Sequence, residues 1–131
     1  MTESTFPPNS NLSIKQGEQL FDPGIGIEAM GSDESFRLIL ETVLESLAGN
    51  LPEIRKALNA GDAKAASGLL HAIKGYVPLM CTDRVVALVT HVEGVSKTAG
   101  AEVVMPLYAS LEPVLEQLLV DIQAYIANNQ S

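Results

Sequence analysis

Apolar residues recur at intervals of three and four along most of this chain, the spacing of one face of an α-helix. Phe36, Ile39, Leu40, Val43, Leu44 and Leu47 form such a stripe, and Leu51, Ile54 and Leu58 resume it after Gly49-Asn50 and Pro52. One long helix is predicted here, with Ser32 as N-cap and Asp33 and Glu34 in the first turn, kinked near Pro52 and ended at Gly61. Ahead of it, Asp22-Pro23 offers a cap followed by proline at the first helical position, which predicts a short helix to about Gly31. Asp62 caps the next helix, whose stripe is Leu69, Leu70, Ile73, Val77 and Met80. Pro78 sits near its end, where the missing N–H removes the bond to the Lys74 carbonyl and bends or terminates it. Thr82 is the expected cap of a fourth helix, with Val85, Leu88, Val89 and Val92 inward, finishing near Lys97. After Gly100, residues 101–127 repeat the pattern through Val104, Leu107, Leu111, Val114, Leu115, Leu118 and Ile122, with Pro106 in or near the first turn and Pro113 as a predicted kink.

No alternating pattern of strand type and no internal repeat interrupts these helices. The predicted class is all-α: an up-and-down four-helix bundle with an additional short N-terminal helix. Residues 1–17 are polar, carry Pro7-Pro8 and show no periodicity, so they are expected to be a flexible tail before one bundle domain over 18–128.

Composition narrows the function classes. Hydrophobic residues make up 47% and aromatics 5%, with no tryptophan, which suits aliphatic helix packing. Sixteen acids against eight bases give a formal charge of −8, which disfavours nucleic acid as a partner. No uninterrupted apolar run approaches the roughly 20 residues of a membrane span, and the first residues, MTESTFPPNS, lack a signal-peptide pattern. A single cysteine, Cys81, fits a reducing compartment. The chain is therefore expected to be a cytoplasmic monomer with no membrane partner.

The charge is not spread evenly. Between Asp62 and Met80 one acid, Asp62, stands against two lysines, Lys64 and Lys74, and this basic segment surrounds His71. Bundle metal sites built from Glu-x-x-His pairs are excluded, because Gly68 and Leu88 stand three before His71 and His91. No Cys-x-x-Cys, His-x-x-x-His or phosphate-binding glycine loop occurs, so no metal, cofactor or nucleotide site is expected. Cys81 lies ten residues from His71, about 15 Å of helical rise, and reads as a small buried hydrophobe. His91, beside the Val85/Val92 stripe, reads as a boundary histidine. His71 falls on the polar face of its helix, with Ser67 and Gly68 one turn before it and Lys74 and Gly75 one turn after. A glycine inside an exposed helix face lowers stability by about 1 kcal/mol relative to alanine. Here it opens a shallow strip that lets a bulky partner reach one imidazole nitrogen, with Lys74 to neutralise charge on whatever that nitrogen carries. This describes a phosphoryl acceptor better than a buried general base.

The pentapeptide His71-Ala72-Ile73-Lys74-Gly75 matches in type and spacing the His-x-x-Lys-Gly signature of histidine-containing phosphotransfer domains, and the chain resembles that family over about residues 20–127. Phe21-Asp22, Gly31-Ser32-Asp33, Pro52 with Ala57-Leu58, and Gly61-Asp62 resemble its opening elements and the lead-in to its histidine helix. Val92-Glu93 falls where the family's next helix usually has a Leu-Glu pair. Tyr76 is larger than the residues that usually follow the glycine, Met80-Cys81 replaces a common Leu-Gly pair, and an exposed Pro78 is unusual. The resemblance implies a phosphorelay intermediate and not an enzyme with its own nucleotide site. His71 would accept a phosphoryl group from the aspartate of a response-regulator receiver domain, or of a hybrid sensor kinase, and pass it to another receiver. Lys74 would stabilise the charge, Lys64, Ser67, Gly68, Gly75 and Pro78 would line the docking surface, and Mg²⁺ would reside on the receiver. Two alternatives are a helical docking module without phosphotransfer and an ancillary domain of a larger hybrid sensor kinase.

Overall fold

The computed structural model describes residues 17–128, so the expected tail lies outside the described residues except for Gly17. Among these residues the protein is all-helical, without strands: α1 (Pro23–Met30), α2 (Asp33–Asn59), α3 (Ala63–Tyr76) followed by a 3-10 turn (Val77–Leu79), α4 (Asp83–Ser96) and α5 (Ala101–Asn128). Their boundaries follow local chemistry. The Asp22 carboxylate accepts from Gly24 N ahead of Pro23, and α1 ends where Gly31 adopts φ 88° and returns its N–H to the Ile27 carbonyl. Ser32 caps α2 by accepting from Ser35 N at 3.1 Å. At the other end of α2, Gly61 has φ 76°, and the Gly61 and Asp62 N–H groups return to the Leu58 and Ala57 carbonyls in a Schellman motif. Asp62 then caps α3 through Ala65 N at 3.0 Å, so three residues reverse the chain.

Thr82 occupies the N-cap position of α4, but its side chain makes no cap bond. The hydroxyl donates instead to the Gln19 carbonyl at 3.2 Å, because the segment before α1 runs beside it: Asp22 N donates to the Met80 carbonyl and Thr82 N to the Leu20 carbonyl. This short bridge is invisible to helical periodicity. The expected α3 end near Met80 is likewise refined. The α-helix stops at Tyr76 and the 3-10 turn carries Pro78, where the i−4 bond is lost. Pro52 and Pro106 and Pro113 lie inside the continuous helices α2 and α5, all on exposed positions.

α2 packs on both α5 and α3, α3 on α4, and α4 on α5, while α1 lies against α2. Leu40, Leu47, Ile54, Leu70, Ile73 and Leu111 are fully enclosed between them, each worth about 1.5–3 kcal/mol of burial. Ile39, expected in the α2 stripe, is 37% exposed. The stripe that is buried runs Phe36, Leu40, Val43, Leu47 and turns Ile39 to its edge. α5 is long and apolar enough, by length and composition, to cross a membrane. An uninterrupted-run criterion does not detect it, and its Val104, Leu111, Leu115, Leu118 and Ile122 are buried in the core.

Candidate functional site

α3 and α4 lie side by side, and their facing surfaces assemble the polar centre of the molecule. Ala66, Leu70 and Ile73 fasten α3 to the core, which turns His71 and Lys74 toward the α3–α4 seam. From α4, Val85, Leu88, Val89, Val92 and Ser96 point inward, and Glu93 falls on the same side. The Glu93 side chain is 1% exposed, whereas that of His71 is 71% exposed. A buried carboxylate needs partners, and Glu93 has three. His71 Nδ1 lies 3.3 Å from Oε2, Lys74 Nζ 3.4 Å from Oε1, and Lys97 Nζ 3.5 Å from Oε2.

Burial alone raises the pKa of Glu93, but the Lys74 hydrogen bond and charge, the Lys97 charge and the His71 hydrogen bond outweigh it and hold the carboxyl below its ordinary value. The carboxylate is thus ionised and can only accept. Its contact with Nδ1 assigns the proton of a neutral imidazole to that nitrogen and leaves the lone pair on Nε2, in a side chain that is 71% exposed. A nucleophilic nitrogen at the surface, oriented by a buried acceptor and flanked by an ammonium, is the chemistry this arrangement provides.

His71 and Lys74 are thus joined through one carboxylate. Ser67 and Lys64 lie one and two turns back from His71 toward the start of α3 and line an open groove with Ser96, Lys97 and Thr98 of the α4 end. Gly68 and Gly75 are exposed, and a Cβ on either would meet nothing within 4 Å. Pro78 is exposed in the 3-10 turn, outside the Glu93 cluster. Tyr76, large where small residues were expected, packs against the core instead of over His71. His91 is half-buried, and Cys81 is 2% exposed with its thiol pushed up to about 12 by burial, so it is inert as a nucleophile.

Sequence reasoning missed Glu93 and Lys97 as site residues. The available signal was an acid at i+4 from Val89, inside the apolar stripe of α4, with a lysine a further turn on. No protein-family model, curated protein or solved structure matches this chain.

Proposed function

We propose that this chain is a phosphorelay intermediate that accepts a phosphoryl group on His71 from a receiver-domain aspartate and passes it to another receiver. The observation that carries the reading is the pairing of a buried, ionised Glu93 with an imidazole that remains 71% exposed. In this reading α2 to α5 form an up-and-down four-helix bundle with α1 packed on α2. The His71 Nε2 lone pair attacks the phosphorus of the aspartyl phosphate. A P–N bond forms, the acyl P–O bond breaks, and the aspartate carboxylate departs with the bonding pair. The ring gains positive charge, which Glu93 balances through the Nδ1–H contact at 3.3 Å. Lys74, 35% exposed and one turn after His71, turns from Glu93 toward the phosphoryl oxygens. Transfer to the second receiver is the reverse reaction. Mg²⁺ belongs to the receiver, as the resemblance implies.

The test is incubation with phosphoramidate and, separately, with a phosphorylated receiver, followed by detection of acid-labile, base-stable phosphate. His71→Gln abolishes the label and His91→Gln keeps it. Label retained in His71→Gln overturns the assignment, and a wild-type protein labelled by neither donor leaves the docking-module reading in its place.

A further inference from the structure

Lys97 enters the site from α4, outside the His71-Ala72-Ile73-Lys74-Gly75 segment. It stands one turn after Glu93 at the end of α4, and its Nζ is 3.5 Å from Glu93 Oε2. His71 Nδ1 approaches that same oxygen at 3.3 Å. A carboxylate beside an imidazole ordinarily favours the imidazolium, and an imidazolium has no Nε2 lone pair with which to attack phosphorus. The buried acceptor that orients His71 therefore also threatens to disarm it. Two ammonium groups on the same carboxylate oppose that pull, because each draws on the charge that the ring would otherwise have to itself.

We infer that Lys97 is a positioning residue which, by sharing Glu93 Oε2 with His71, opposes charging of the imidazole and preserves its nucleophilic form. The charged or titratable groups that face Glu93 are His71 and Lys74 from α3 and Lys97 from α4 itself. Among the described residues, α5 and the 3-10 turn place none within ion-pair reach of it. Removing Lys97 leaves Oε2 to the imidazole alone and removes a positive charge from its neighbourhood, and both changes favour the imidazolium. A lysine at a helix C-terminus also has an ordinary structural role toward the helix dipole, and that role does not couple to the protonation of a ring on another helix.

This inference deepens the phosphoacceptor reading and rests on it for its consequence, but its central claim has a separate readout. The experiment measures initial rates of labelling by phosphoramidate against pH for wild type, Lys97→Gln, Lys97→Arg and, as a charge-matched control on α2, Lys56→Gln. The ring titration of His71 is followed by NMR on the same proteins. The expected result is a profile displaced to higher pH in Lys97→Gln, with a severalfold lower rate on its acid side. Lys97→Arg restores the wild-type position, Lys56→Gln leaves it in place, and the NMR titration moves in step with the rates. In a Glu93→Gln background the Lys97→Gln displacement shrinks, because the shared oxygen no longer carries charge. Superimposed profiles and titrations for wild type and Lys97→Gln overturn the inference, as does an undiminished displacement in the Glu93→Gln background. Absence of wild-type label from both phosphoramidate and a phosphorylated receiver sinks the phosphoacceptor reading instead, and the NMR titration still decides the role of Lys97.

Discussion

Glu93 concentrates the electrostatics of the molecule into one side chain, buried between Val92 and Ser96 and contacted by His71, Lys74 and Lys97. Its folded-state pKa lies below the ordinary carboxyl value of 4.5. The linkage sign follows: the stabilisation is fully present above that value and is lost as pH falls through the lower folded one. Glu112, held down first by its hydrogen bond to Arg55, contributes with the same sign in the same acid window. Glu93→Gln keeps the shape and one acceptor oxygen but loses the charge. Its Tm is expected to depend less steeply on pH than that of wild type between about pH 5 and pH 3, measured by thermal melts across that range. An unchanged slope would mean that Glu93 contributes nothing through its ionisation. At the same scale, Lys74→Ala is expected to slow labelling of His71 or shorten the phosphohistidine lifetime while leaving stability nearly unchanged, since alanine suits a helix. Equal rates and lifetimes would reduce Lys74 to a solvated lysine. His71 and Lys74 were legible in the sequence because polar residues on an apolar-striped helix announce themselves. Glu93 left only a faint mark, an acid within the apolar stripe of α4, because burial of an acid depends on which helix lies opposite, and periodicity in one helix does not say.

Two glycines separate the demands of elements from those of the site. Gly75 lies on the exposed face of α3, and a Cβ there meets open space within 4 Å. Gly75→Ala is therefore expected to raise stability by up to about 1 kcal/mol, while Gly75→Gln, one turn from His71, slows transfer from a receiver more than labelling by phosphoramidate. A Gly75→Gln protein that takes phosphate from its receiver at full rate removes the clearance argument. Gly26 in α1 presents the opposite case. A Cβ there lies 1.9 Å from the Phe36 ring, and that ring is 1% exposed and packed with Phe21 and Tyr125. Gly26→Ala is expected to destabilise the protein by about 1–3 kcal/mol, read as a lower Tm with labelling of His71 preserved at low temperature. The helices themselves were legible because capping residues and apolar spacing agree at nearly every boundary. The contact of α1 with Phe36 was not, since a glycine chosen for close approach and one left in a turn look alike in sequence. Thr82 teaches the same lesson: its hydroxyl serves Gln19 across 63 residues, a bond that no local pattern encodes.

At the scale of the whole molecule, several of the few basic residues gather at one seam. The chain carries eight bases against sixteen acids, yet three of those bases, Lys64, Lys74 and Lys97, converge on the α3–α4 seam around His71. Lys74 and Lys97 are committed to Glu93, whereas Lys64 is exposed at the groove rim with its charge turned to solvent. An acidic body with a basic rim around its reactive nitrogen attracts an acidic partner surface toward that rim and repels it elsewhere, which orients the encounter and raises its rate. Such steering is screened over about 10 Å at 0.1 M salt. The rate of transfer from a phosphorylated receiver is therefore expected to fall as salt rises, and the rate of labelling by phosphoramidate to respond far less, since a small donor needs no docking. Lys64→Glu is expected to slow receiver transfer at low salt and to flatten its salt dependence, because the reversed charge cancels part of the rim's attraction. The measurement is a set of transfer rates at increasing sodium chloride for wild type and variant, with phosphoramidate labelling run in parallel. Should the receiver rate prove independent of salt, or Lys64→Glu transfer as fast as wild type at the lowest salt, docking rests on apolar and shape complementarity around Gly68 and Gly75 instead. Steering by Lys64 then has no part in it.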